Sequence, residues 1–91
     1  MLASYAADAA REVEGVHELV DGPRRHRGVR VNEENGAVSL EVHLSLEWGG
    51  RAPTVGAAVQ KRVSEYIQRT AKLESVGVDI VVDQFAAPQA H

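Results

Sequence analysis

From Ala37 to Trp48 the chain alternates without a break. Val38, Leu40, Val42, Leu44, Leu46 and Trp48 fall on one side, and Ser39, Glu41, His43, Ser45 and Glu47 on the other. A period of two excludes a helix, whose apolar positions recur every three to four residues, and predicts one long strand with a buried and a wet face. A strand that is apolar on one side needs that side covered, so the rest of the chain must supply neighbouring strands and a layer to pack on them.

The segment before it reads as the strand's hairpin partner. Gly28 to Glu34 carries Val29 and Val31 on one face, and Asn35-Gly36 follows. That dipeptide suits a two-residue turn in which both positions need positive φ. Taking it as the loop predicts a register: Glu34 opposite Ala37, Val31 opposite Leu40, Arg30 opposite Glu41 and Val29 opposite Val42. The apolar residues of both strands then share a face, whereas a slip of one residue would put the valines in water.

Two stretches have helical spacing. Leu2, Ala6, Ala9 and Val13 form a stripe over Leu2 to Val13, and Gly15 stands where a helix would stop. Val55, Val59, Val63, Tyr66, Ile67 and Thr70 form a second stripe, with Thr54 as its expected N-cap. Lys61, Glu65 and Arg69 run at i, i+4 along the opposite side, and Arg69 and Lys72 suit the negative end of the helix dipole. Val16 to Val20 reads as a short strand and Gly22 to Gly28 as a loop. Val76, Val78, Ile80 and Val82 alternate with Gly77, Asp79, Val81 and Asp83 as a last strand, with Phe85 near its end. The expected fold is α+β in the order α-β-β-β-α-β: a mainly antiparallel sheet with two helices packed on one face, a single domain over 1–85 and a short tail over 86–91.

Composition narrows the function. A chain of 91 residues buries a modest core, so oligomerisation would help it. The net charge of −3 disfavours a general nucleic-acid binder. Without cysteine there are no disulfides, thiol nucleophiles or Cys-ligated metals, which fits a cytoplasmic setting. No apolar run approaches the roughly 20 residues of a membrane span, so direct insertion is not expected, and the N-terminus lacks the basic start of a signal peptide.

Candidate sites are few. Arg24, Arg25 and Arg27, with His26 between them, form the densest positive charge. They could grip phosphate, lipid head groups or an acidic partner, or simply be a solvated loop, the commoner fate of such segments. His17, His26, His43 and His91 show no metal-ligand spacing. His43 between Glu41 and Ser45 could be read as an acid-base or metal trio, but such neighbours on an open sheet face are usually solvated, and catalysis is not expected there. Gly49-Gly50 lacks the length and the Lys-Ser/Thr ending of a phosphate loop and reads as a strand-to-helix turn. Trp48 is a core plug or, if exposed, a binding anchor. Lys61, Arg62, Arg69 and Lys72 make the second helix net basic, against an acidic sheet surface of Glu41, Glu47, Asp79 and Asp83. That polarity either supports association or is two solvated faces.

Three segments carry a family resemblance: Ala9-Ala10-Arg11-Glu12-Val13-Glu14-Gly15-Val16, the strand from Val42 to Gly49, and Val55 to Val63 leading through Ile67 to Val76–Val82. Together they resemble the alkaline shock protein, or Gls general-stress, family of bacterial envelope stress response proteins, over about residues 6 to 83. Departures are the lack of a further short segment at the start, Trp48 where relatives often have tyrosine, and a less aliphatic turn at Gly50-Arg51-Ala52-Pro53. The resemblance implies a non-enzymatic cytoplasmic protein without catalytic residue or cofactor. It also implies protein partners, among them a small membrane-anchored protein that recruits some members to the inner face of the membrane, and self-assembly in others. The candidate interaction residues are Arg24, Arg25, Arg27, Trp48, Lys61, Arg62 and Arg69. Docking is expected at a sheet edge or at the Trp48–Gly50 end, with Val81 on the outer face. The alternative is a small nucleic-acid-binding α+β domain using the Arg24–Arg27 loop and the basic second helix. A small enzyme centred on His43 comes third.

Overall fold

The computed structural model describes residues 2–47, 51–71 and 76–86. Trp48, Gly49, Gly50, Lys72 and His91, all considered above, lie outside the described residues. The elements run α1 (Leu2–Arg11), β1 (Val16–Leu19), β2 (Val29–Glu34), β3 (Ala37–Glu47), α2 (Ala52–Ala71) and β4 (Val76–Ala86). The α-β-β-β-α-β order and the two-layer α+β architecture are those read from the sequence. β4 continues through Ala86, one residue into the expected tail, and 87–91 lie outside the described residues.

β3 is the axis of the sheet. β2 pairs with it antiparallel in the register that the Asn35-Gly36 turn dictates, including Arg30 opposite Glu41 and Val31 opposite Leu40. Both turn residues have positive φ, 52° at Asn35 and 81° at Gly36. β1 pairs antiparallel with Leu44 to Leu46. β4 runs parallel to β3 along nearly its whole length, from Val38–Val76 to Glu47–Ala86. A strand has two edges, so β1 and β2 lie end to end along one edge of β3 while β4 takes the other. Two of the three pairings are antiparallel, and the parallel one requires a crossover, which α2 provides.

The core sits between the helices and the inner face of β3. Val42, Leu44, Leu46, Val59, Val63 and Ile67 are wholly buried. α1 contributes Ala3, Ala6, Ala7, Ala9 and Ala10, small side chains that allow close approach to α2. There Tyr5 and Tyr66 meet edge to face, ring centroids 6.3 Å apart. The turn after α1 needs glycine, because Gly15 has φ of 100° and a β-carbon there would come within 2.7 Å of Val55 Cγ2.

Two local expectations are corrected. α1 ends at Arg11 instead of Val13. Thr54 is not the N-cap of α2: Val55 N donates to Arg51 O, so the helix starts earlier and Thr54 sits inside its first turn. Pro53 does not prevent this, because the amide it lacks would have no helical partner in the first turn.

Candidate functional site

The face of β3 expected to be wet is only partly so. His43 is 6% exposed and Ser45 1%, although Ser39 and Glu41 on the same face are half-buried and Glu47 is open. The cover comes from β4 and from the loop between β1 and β2. The β3–β4 register steps between Leu44–Val82 and Ser45–Gln84, leaving Asp83 as the extra residue. Such a bulge re-aims side chains. Asp83 Oδ2 lies 2.9 Å from His43 Nδ1, and Glu41 Oε1 lies 2.8 Å from His43 Nε2. Carboxylate oxygens accept, so both contacts are complete hydrogen bonds only when both ring nitrogens carry hydrogen. Arg25 closes the group: its Nη1 donates to Asp83 Oδ2 at 3.2 Å and to Val20 O at 3.1 Å. Arg30 stands opposite Glu41 as the register requires, and the Glu41 carboxylate turns to His43.

The basic loop is consequently divided. Arg25 N donates to Gly22 O, and His26 and Val29 exchange both backbone bonds around Arg27 and Gly28. Arg27 and Gly28 have φ of 55° and 87°, so this is a second two-residue turn of the Asn35-Gly36 kind. Its signal in the sequence is Gly28 alone. The turn sends Arg25 to β4 and Arg27 to α1, where Nη2 donates to Asp8 Oδ1 at 2.8 Å. Arg24 is exposed, at a positive φ of 62°. The three guanidiniums that look contiguous in sequence thus do not converge.

On the helical side, Lys61 and Arg69 are exposed and Arg62 is paired with Glu12, just past the end of α1. Lys61 and Arg62 line an open cleft with Glu12, Val13, Ala58 and Glu65, a surface of mixed charge. Among the described residues no three His, Asp or Glu side chains are placed to hold a metal ion, and no helix is long and apolar enough to cross a membrane.

Fold and site together define a small α+β domain whose helices cover one sheet face and whose other face carries a self-satisfied polar group around His43. The chain belongs to the alkaline shock protein 23 family, of cell envelope-related function, whose profile matches residues 1–86. A relative in Streptococcus pyogenes serotype M6, "Uncharacterized protein Spy1535", is 30% identical over 88 residues, spanning 87% of this chain and 68% of that protein. Solved structures of MamM CTD share the fold. A zinc form superposes with a TM-score of 0.60 at 17% identity, covering 91% of this chain and 84% of that one. A manganese form gives 0.58 at 11% identity, covering 91% and 94%.

Proposed function

We propose that this chain is a non-enzymatic interaction or assembly module of the envelope stress response, brought to the inner membrane surface by a small membrane-anchored protein partner. Membership of an envelope-related family supports the setting. The observation that carries the non-enzymatic part is the state of His43. It is the one buried titratable side chain among the described residues, and a carboxylate oxygen stands against each ring nitrogen, Glu41 at 2.8 Å and Asp83 at 2.9 Å, where a substrate would have to approach. A general base needs a free nitrogen within reach of a substrate proton. The proposed role requires no cofactor, and the zinc and manganese belong to the MamM CTD structures. Self-association is part of it, since a chain of this length gains cover for its core by oligomerising.

Crosslinking in the native host under envelope stress, followed by co-purification and identification of the bound chains, tests the proposal. One specific partner enriched in the membrane fraction is expected. Absence of a partner, together with single-stranded RNA binding that falls steeply with salt, would favour the nucleic-acid alternative. Stoichiometric zinc binding lost in His43→Gln would overturn the cofactor-free part.

A further inference from the structure

We propose that the outer edge of β4, from Val76 to Val82, is a strand-addition site for an extended partner segment in which basic and small apolar residues alternate. This deepens the interaction-module reading and rests on it. Among the described residues the edge is long and lightly guarded, with Asp79 as its one charge before the bulge and Gln60 on the Val78 carbonyl. β4 holds β3 in unbroken register from Val38–Val76 to Leu44–Val82, and among the described residues no strand pairs with its other side. Strand edges are normally blunted by charge, proline or bulges. β2 carries Arg30, Glu33 and Glu34, and β1 is four residues long with a register step beside His17. Val76 to Val82 contains no lysine, arginine or proline, and its bulge comes only at Asp83.

A groove runs beside this edge. Ala52, Gly56, Ala57 and Gln60 of α2 form one wall, Ile80 and Val82 of β4 form the other, and Asp79 lies at the rim with its side chain on the opposite face. Gly56 leaves room, since a β-carbon built there would meet only Ile80 Cγ2, at 3.8 Å. Gln60 Nε2 donates to Val78 O at 2.8 Å and pins α2 over the strand. Ile80 and Val82 are only half-buried, whereas their partners on β3, Val42 and Leu44, are wholly buried. An added strand would cover Ile80 and Val82 with every second side chain, and small apolar side chains fit beneath Ala52 and Gly56.

Charge selects the occupant. On the outer face Glu41 and Asp79 are direct partners across β3 and β4, two carboxylates side by side. Like charges in that position repel, so a lysine or arginine on an incoming strand beside Asp79 would relieve them. The β4 of a second copy brings only Asp79 and Asp83 and no basic residue, which disfavours self-pairing here and favours a basic partner segment.

The probe is a capped peptide of about seven residues alternating Lys and Val, roughly the length of the edge. Binding is followed by backbone amide NMR shifts and hydrogen exchange on the whole chain. Saturable shifts and new protection confined to Val76–Val82 and the facing turns of α2 are expected. Asp79→Lys and Gly56→Leu, both on accessible positions, should each weaken binding about tenfold while leaving the fold spectrum intact. An analogue with Glu in place of Lys, and one N-methylated on alternate amides, should not bind. Equal binding by the N-methylated peptide, protection mapping to another element, or β4 amides already protected in the free monomer or only in a self-associated form would each overturn the proposal. A host partner that still co-purifies with Asp79→Lys and Gly56→Leu also overturns the edge assignment while leaving the module reading intact.

Discussion

Asp83 Oδ2 meets His43 Nδ1 at 2.9 Å across forty residues of sequence, because β4 gains one residue on β3 between Val82 and Gln84. In straight alternation Val81 is the residue opposite His43. The extra residue brings a carboxylate to the imidazole and to Arg25 at once. Asp83→Asn removes the charge that serves both. It should cost about 1–3 kcal/mol in urea unfolding, the range for a part-buried hydrogen bond to a charged group. Asp79→Asn, exposed and beside Glu41, is the control and should be neutral or slightly stabilising. Equal effects for the two would show that the His43 group contributes nothing to stability.

Two glycines with the same backbone requirement should respond differently. Gly36 has φ of 81° and nothing within 4 Å of an added β-carbon, so Gly36→Ala carries only the left-handed penalty, about 1–2 kcal/mol. Gly28 has φ of 87°, and its β-carbon would come within 2.7 Å of Leu19 Cβ and 3.1 Å of Val20 N. Gly28→Ala adds overpacking and should lose roughly 3 kcal/mol or more. Paired denaturation curves measure the difference.

Arg24 and Arg25 are neighbours with opposite expectations. Arg24→Gly relieves a positive φ and should raise stability by up to about 1 kcal/mol. Arg25→Ser breaks a half-buried ion pair and the bond to Val20 O and should lower it by about 1 kcal/mol. Calorimetric melting of the two single variants reads both signs. A triple Arg-to-Ser change would therefore confound docking with folding, and Arg24→Ser is the cleaner probe of surface charge.

Thr54→Ala separates two accounts of the start of α2. An N-cap threonine replaced by alanine costs about 1 kcal/mol. With Arg51 O taking the first helical bond, Thr54 is already inside the helix and exposed, so the change should stay within about 0.5 kcal/mol. A loss of a full kcal/mol in urea titration would restore the threonine cap.

The sequence by itself determined what depends on near neighbours. Strict alternation made β3 a strand, and Asn35-Gly36, with both φ values positive, set the Val31–Leu40 and Arg30–Glu41 pairs. The four-residue spacing of Val55, Val59, Val63 and Ile67 made α2 the cover of the core. Of the candidate site, the loop's basic residues and the Glu41–His43 proximity were legible as positions on one loop and one strand. Which way each side chain turned was not. Only the tertiary structure decided that β4 returns parallel along the free edge of β3, because strand direction depends on the crossover through α2 and leaves no local signal. That pairing and its bulge carried Asp83 to His43, covered the His43–Ser45 part of a face expected to be wet, and drew Arg25 away from Arg27. The physical reason is the same in each case: alternation sets the face on which a residue lies, but the neighbouring strand or loop decides whether that face meets water.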